Sequence, residues 1–237
     1  MLDSLIIIPT YNEIENIESI IHIVLEQDDS FAILVVDDGS PDNTAEKVKE
    51  LQASLGDRLN LIQRSGKLGL GTAYIAGFKY GLENGFDYIF EMDADFSHPP
   101  TALIEMKNIL LRDEADMAIG SRYTKGGKIQ NWPKDRLILS YGASLYVRLL
   151  TRMSVKDPTA GFVCYKSKVL KAMDLDSIKA IGYAFQIELK YYATRLGFRL
   201  KEYPITFKDR EKGTSKMDSS IITEAIFGVI KMILRKY

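Results

Sequence analysis

Two carboxylates one residue apart, Asp93 and Asp95, close the apolar and aromatic run Tyr88-Ile89-Phe90-Glu91-Met92 and are followed by Phe96-Ser97-His98-Pro99-Pro100. The run has the length and composition of a buried parallel strand, and the prolines forbid its continuation. The pair therefore stands at a strand's C-terminal end, where open α/β sheets hold their ligands. Alternate residues of an extended chain point the same way, so both carboxylates can converge on one cation. Hard divalent ions such as Mg²⁺ take oxygen ligands and are commonly held by one or two carboxylates plus substrate phosphates. A lone pair of this kind more often caps a turn. Here Glu13 follows a first apolar run, and Asp37 and Asp38 follow a second. Three strand ends then converge on one acidic cleft. An anionic ligand enters such a cleft with a bridging metal, which suits a nucleotide diphosphate carried with Mg²⁺ or Mn²⁺.

The elements that position these residues alternate between two periods. Residues 5–8 (Leu-Ile-Ile-Ile) read as a buried first strand ended by Pro9. Residues 13–25 show helical spacing, with Ile14, Ile17, Ile21 and Val24 on one side. A second strand spans 31–36, and a helix starts at Thr44, with Asn43 as cap and Glu46 completing a capping arrangement. A third strand covers 59–63. The glycine turn Ser65-Gly66-Lys67-Leu68-Gly69-Leu70-Gly71 leads into a helix to Leu82. Its order differs from a dinucleotide fingerprint and lacks the Walker spacing, so its glycines are assigned to close helix packing near the nucleotide. A helix at 101–112 and a strand at 117–119 follow the carboxylate strand. This alternation means βαβ units and a mostly parallel sheet flanked by helices.

Beyond Ser121 the pattern changes. Residues 122–135 form a polar loop too long for an ordinary connection, which marks it as functional. Helical patterning returns over 136–153. A strand is expected at 162–165, a helix at 184–196 and a strand at 200–207. A second polar loop covers 209–218, with Gly213 and a lid's composition, and a closing helix runs from about 219 to 236.

Composition bounds the rest. The 237 residues are 46% hydrophobic and 27% charged, with a formal net charge of −1. That is a soluble globular chain with no general attraction to nucleic acid. A single cysteine, Cys164, and two histidines exclude a disulfide framework and the usual zinc cluster. Cys164 reads as a core residue. No stretch reaches the roughly 18 apolar residues of a membrane span. The amino terminus enters a strand without a basic region before it, so no signal peptide is expected and the compartment is expected to be the reducing cytoplasm.

Several segments carry a resemblance. Pro9-Thr10-Tyr11-Asn12-Glu13, Val35-Val36-Asp37-Asp38-Gly39-Ser40, Met92-Asp93-Ala94-Asp95 and Gly120-Ser121-Arg122-Tyr123 resemble inverting family-two glycosyltransferases of the GT-A (Rossmann-like) fold. Lys67-Leu68-Gly69-Leu70-Gly71, Trp132 with Arg136 and Ser140, Asp157-Pro158-Thr159-Ala160-Gly161-Phe162, and Asp209-Arg210 with Gly213-Thr214-Ser215-Lys216 resemble the polyprenol (dolichol) phosphate mannose synthases. The likeness runs in order from about Leu5 to Lys216. It implies a single GT-A domain over residues 1–217 and an amphipathic C-terminal helix over 218–237.

The resemblance also implies roles. Pro9, Tyr11, Glu13, Val36, Asp38 and Lys67 belong to the donor site, the first five around the nucleoside of GDP-mannose. Asp93, Ala94 and Asp95 match the diphosphate and metal site, with Ser97 at the position of a third ligand. Arg210 and Lys216 match a loop that closes on the donor. Arg122, Arg136 and Ser140 match the acceptor-phosphate site and, with Asp95, the catalytic set. The implied reaction moves mannose from GDP-mannose to a polyprenyl (dolichyl-type) monophosphate with inversion, using Mg²⁺ or Mn²⁺. A related transferase using another nucleotide sugar such as UDP-glucose, or a hydroxyl glycan acceptor, shares the donor motifs.

A lipid phosphate is already a nucleophile, so no dedicated base is needed and His98 is assigned a structural role. The expected partners are a nucleotide sugar, a polyprenyl phosphate and the cytoplasmic face of a membrane, met peripherally. The apolar face Ile221, Ile222, Ala225, Ile226, Val229, Ile230, Ile233, Leu234, ending in Lys231, Arg235 and Lys236, either packs on the domain or lies in the membrane interface.

Overall fold

The structure, a computed structural model, describes residues 1–178, 182–209 and 228–234. The apolar runs become the strands β1 (Ser4–Thr10), β2 (Phe31–Asp37), β3 (Leu59–Gln63), β4 (Tyr88–Glu91) and β5 (Met117–Ser121). β1, β2, β4 and β5 are buried along most of their length because helices cover both faces of the sheet, whereas the edge strand β3 buries only Leu59. Between them stand α1 (Ile17–Leu25), α2 (Thr44–Leu55), α3 (Leu70–Glu83) and α4 (Ala102–Leu111). The second part adds β6 (Lys128–Gln130), α5 (Lys134–Thr151), β7 (Val163–Lys166), α6 (Ser167–Lys171), α7 (Tyr183–Arg195), β8 (Leu200–Pro204) and β9 (Thr206–Lys208).

Seven strands form one sheet in the order β3-β2-β1-β4-β7-β5-β8. All neighbours are parallel except β7, which runs antiparallel to both β4 and β5. Side-chain alternation divides the core. Ile6, Ile8, Ile33 and Val35 face α1, α2 and α4; Leu5, Ile7, Leu34 and Val36 face α3, α6 and α7. Cys164 lies buried in the first of these layers, as its apolar surroundings in sequence require.

Pro9 does not end β1 but sits inside it. Met92 N–H donates to the Ile7 carbonyl and Asp38 N–H to that of Thr10. By alternation the amide position of Pro9 faces the β4 side, and β4 has already stopped opposite Ile7. A missing donor there costs no ladder bond.

Other boundaries move for stated reasons. The α1 helix proper begins at Ile17, because side chains across the cleft hold the preceding amides: Thr44 Oγ1 accepts from Glu13 N–H and Asp42 Oδ2 from Ile14 N–H. Asn43 makes no side-chain cap, since it sits at φ 68; Asp42 instead accepts from the backbone N–H and hydroxyl of Thr44. A Cβ on Gly66 of the turn would meet nothing within 4 Å, and glycines further along α3 let that helix close on the sheet. A Cβ on Gly77 would meet Ile7 at 2.7 Å, and one on Gly81 would meet Ile89 at 2.8 Å. The expected strand over 200–207 breaks at Ile205 into β8 and β9, and β9 pairs with β6 inside the expected loop 122–135.

Residues 228–234 form a helical segment that buries Val229 and Met232 against Val147, Met153, Ile187 and Tyr191. This portion of the C-terminal face packs on the domain.

The close approach of α3 to β1 gives a direct test. Gly77→Ala forces Ile7 to shift and should lower stability by about 1–3 kcal/mol. Adding Ile7→Val, which removes the Cδ1 found 2.8 Å from the new methyl, should restore part of the loss. Urea unfolding of the two variants beside the parent measures both steps.

Candidate active site

A cleft of about 1050 Å³ lies over the C-terminal ends of β1, β4 and β5, bordered by α3, α5 and α7. At one end stand Pro9, Tyr11, Glu13, Asp38 and Lys67. The Lys67 ammonium lies 5.3 Å from the centre of the Tyr11 ring. Asp38 Oδ1 accepts from Arg64 Nε at 2.6 Å and Nη2 at 2.5 Å, and Oδ2 accepts from Leu68 N–H at 3.2 Å. Arg64 thus ties the end of β3 to that of β2. Gly39, at φ +69, allows the same two loops to touch, for its Cβ would be 3.3 Å from Gly66 Cα.

Two residues expected here lie elsewhere. The side chain of Val36 is wholly buried in the core and does not line the cleft. Asp37 turns inward, accepting from Thr10 Oγ1 and from both the amide and the hydroxyl of Ser40. The acidic end is therefore built by Glu13, Asp38, Asp93 and Asp95.

Beyond β4 the chain turns sharply. Phe96 adopts φ 61, a left-handed conformation uncommon for a bulky residue, and this lets Ser97 N–H donate to Asp95 Oδ1 at 3.1 Å. Asp95 is 7% exposed, whereas the Asp93 side chain is 40% exposed. The buried Ser97 hydroxyl has no hydrogen-bond partner. Two carboxylates and one uncompensated hydroxyl are hard oxygen donors. They fit a divalent ion that draws its remaining ligands from a diphosphate and water. Among the described residues no cluster of three or more His, Cys, Asp and Glu side chains could hold a metal.

His98 shapes this turn. Its Nδ1 accepts from Asp93 N–H at 3.1 Å, so the ring proton sits on Nε2, 3.9 Å from Asp93 Oδ2. The ring stacks on Phe162, and burial lowers its pKa although Asp93 opposes the shift. It is a neutral positioning group, in keeping with a structural role.

At the other end, Arg136 lies with its guanidinium 3.9 Å from the centre of the Trp132 ring and its Nη1 3.1 Å from both oxygens of Asp209. Ser140 Oγ accepts from the Tyr123 hydroxyl at 2.8 Å. Arg122 also lines the cleft, yet its Nε and Nη2 donate to Asp157 at 2.8 and 2.7 Å and Nη2 also to Thr159 at 2.9 Å. Arg210 and Lys216, with most of the expected lid, lie outside the described residues.

Beneath the carboxylate end is a buried layer from four elements: Glu91, Tyr74, Tyr165, Gln186 and Lys190, none more than 3% exposed. Burial pushes the Glu91 carboxyl up to about 8 against the opposing influence of Lys190, so it holds its proton at neutral pH.

The sequence model of glycosyl transferase family 2 matches residues 5–178. The chain belongs to that family. A polyprenol monophosphomannose synthase of Mycolicibacterium smegmatis is 46% identical over 232 residues, covering 98% of this chain and 87% of the relative. An undecaprenyl-phosphate mannosyltransferase of Micrococcus luteus is 43% identical, covering 96% and 92%. Among solved structures, glucosyl-3-phosphoglycerate synthase from Mycobacterium tuberculosis in complex with Mn²⁺, UDP and glucosyl-3-phosphoglycerate superposes with a TM-score of 0.69. It covers 98% of this chain and 80% of that one at 18% identity, a likeness of fold. The GT-A architecture and the glycosyltransferase class expected from the motifs are thereby established for this family-two chain.

Sequence reasoning missed several residues that shape the site. Arg64 ends β3 as the carboxylates end β1, β2 and β4, so the same strand-end rule points to it. Gln186 and Lys190 are polar residues one turn apart on one face of α7, a spacing that lets them meet. Phe207 carries no such mark.

The Asp157–Arg122 pair makes a prediction with a sign. Burial raises the Asp157 carboxyl, but the Arg122 guanidinium more than reverses this and holds it below the usual range. A depressed carboxylate stabilises the fold above its unfolded pKa, and the benefit is lost as pH falls through the folded value. Asp157→Asn should cost on the order of 2–4 kcal/mol at pH 7. The difference between variant and parent should shrink toward pH 3, as followed by urea unfolding across that range.

Proposed function

We propose that the chain transfers a mannosyl group from GDP-mannose to a polyprenyl monophosphate, with inversion, at a membrane surface. One observation carries the reading: a single cleft runs from carboxylates, past a guanidinium stacked on an indole, to exposed aliphatic side chains of α5. That gradient suits a metal-bound donor meeting an amphiphilic phosphate. The names of the two curated relatives supply the sugar and the acceptor class.

On this reading Pro9, Tyr11, Glu13, Asp38 and Lys67 hold the nucleoside end of the donor, and Arg210 and Lys216 close on its diphosphate. Asp93 and Asp95 would hold Mg²⁺ or Mn²⁺ with Ser97 as a third oxygen, and the bound ion would neutralise charge on the departing nucleoside diphosphate. Arg136 and Ser140 bind the acceptor phosphate, and Arg122, held by Asp157, contributes its charge beside them. Acceptor binding exchanges Asp209 for phosphate on the Arg136 fork, and the Trp132 face keeps that fork oriented. A phosphate monoester carries about −1.5 to −2 charges near neutral pH and attacks without a base. The neutral, internally tied His98 agrees with that chemistry.

Membrane contact is assigned to α5. Ile138, Tyr141, Leu145 and Leu149 follow helical spacing and are 74%, 55%, 44% and 71% exposed, while Ser144 and Val147 on the opposite side are buried. A continuous exposed apolar face is unusual on a globular surface. No described helix is long and apolar enough to cross a membrane. The contact proposed is a peripheral one made by this face.

The deciding experiment follows radiolabelled sugar into solvent-extractable lipid across a panel of nucleotide sugars, with and without chelator, and with a hydroxyl glycan as rival acceptor. Labelled lipid from GDP-mannose alone, abolished by chelator, is expected. Transfer to the glycan instead would replace the lipid phosphate reading.

Arg136→Ala should lower transfer at least a hundredfold while the Kd for GDP-mannose stays within about threefold, measured by calorimetry beside turnover. An equal loss of donor affinity would move Arg136 to the donor side. Leu145→Ser with Leu149→Ser should weaken vesicle flotation yet retain turnover of a short-chain, water-soluble prenyl phosphate.

A further inference from the structure

Tyr123 does not line the cleft, yet it touches two residues that do, Arg122 and Ser140. Its ring lies 5.3 Å from the Arg122 guanidinium and meets the Tyr141 ring edge-on at 5.4 Å. Arg122 is itself fixed by Asp157, so the phenol is aimed by a buried anchor. Its hydroxyl lies 2.8 Å from Ser140 Oγ.

Acidity decides which of the two oxygens gives the hydrogen. A phenol is a much stronger acid than an aliphatic alcohol, so the tyrosine donates and the serine oxygen accepts. Burial raises the Tyr123 phenol above its ordinary value, so it keeps that hydrogen at neutral pH. Ser140 therefore retains a hydrogen of its own. A helical serine often gives it to the carbonyl one turn back, which here would be that of Arg136. Among the described residues Ser140 makes no such bond, nor any other as a donor. Ser140 stands on α5 four residues after Arg136, a spacing that shares one helix face, and both line the cleft. The hydrogen is thus held for an acceptor on the Arg136 side of the cleft. Beside the guanidiniums of Arg122 and Arg136 the fitting acceptor is an oxygen of an anion, and a phosphate monoester offers three.

We infer that Tyr123 is a positioning residue that sets the Ser140 hydroxyl as a hydrogen-bond donor to the acceptor phosphate. The inference rests on the proposed function and adds the residue that decides how Ser140 works in it. Ser140 touches the substrate; Tyr123 acts through Ser140. The phenol fills a lone pair of the serine oxygen, which leaves the serine hydrogen as the group turned toward the ligand. The same ring is braced by Arg122, so the ion pair with Asp157 orients a neutral donor as well as a charge.

The test uses the full chain, GDP-mannose and a short-chain, water-soluble prenyl phosphate. Tyr123→Phe keeps the ring against Arg122 and removes one hydroxyl. It should lower kcat/KM for the prenyl phosphate about tenfold. The Kd for GDP-mannose should stay within about threefold, which separates the acceptor phosphate from the donor diphosphate as the group served. In a Ser140→Ala background the same substitution should cause no further loss, because a shared contribution is lost only once. A loss there equal to that in the parent overturns the inference. So does a parallel loss of GDP-mannose binding, or an unchanged kcat/KM for the prenyl phosphate. Should Tyr123→Phe melt too low to assay, Ser140→Ala decides alone: a raised acceptor KM with donor Kd unchanged supports the inference, and an unchanged acceptor KM overturns it. All these outcomes leave the function reading standing. A parent chain that transfers no sugar to prenyl phosphate overturns the function reading itself, and this inference with it.

Discussion

A carboxylate with no access to water must be neutralised or matched, and Asp157 is matched three times by one residue: Arg122 gives its backbone N–H, its Nε and one Nη. The result is a guanidinium held as a fixed plate. Tyr123, Trp132 and Phe207 present their rings to it at 5.3, 5.7 and 5.5 Å. Trp132 then carries Arg136 on its face, and Phe207 meets the edge of His98, which holds the backbone of Asp93. The carboxylate end and the Arg136 end of the cleft are therefore parts of one contact chain anchored at a buried ion pair. Glu202 extends the anchor by accepting from the amides of Lys156 and Asp157.

Much of the first half was legible because its information is local. Continuous apolar runs of a strand's length, three of them followed by acidic residues, mark parallel strands, and the cleft follows from their common direction. The glycosyltransferase class was readable from motifs at those ends. What was hidden depends on partners distant in sequence. The three-residue strands β6 and β9 are too short to show a period, and only their mutual pairing makes them strands. Asn43 has the composition of a cap, but its positive φ hands that work to Asp42. Val36 alternates in a strand like its neighbours, and nothing local says that its side chain faces the core layer of α3 and α7. The antiparallel sense of β7 is equally silent in Val163-Cys164-Tyr165-Lys166, since burial on both faces erases the pattern that separates the two kinds of strand.

The cleft also combines two opposed solvents. Its carboxylate end is lined by groups whose charges need water, a metal or a cation, and its α5 end by side chains that water disfavours. A protein that kept these ends apart could bind a nucleotide or a lipid but could not bring them together. Here the Trp132 and Arg136 pair stands between them, one side chain with a large apolar face and one with a permanent charge. That junction is where a phosphate carried on a hydrocarbon would cross from one medium to the other.

The place of β7 in the sheet has a consequence for how the molecule is made. Since β4 and β5 never pair, the two halves of the sheet are joined through β7 alone, and β7 is synthesised after both. During translation the β1–β4 half can assemble from contacts close in sequence, while the β5 half waits for a strand that must be inserted backwards between two existing edges. Such non-local closure is slow, and an open edge is prone to pair wrongly in the interval. The segment that leads into β7 is Asp157 to Phe162, which holds Arg122 and floors the cleft. Nascent chains therefore acquire the whole cleft only on completing the sheet, so an immature form exposes the half that carries Glu13, Asp38 and Asp93 without the half that carries Arg122 and Arg136.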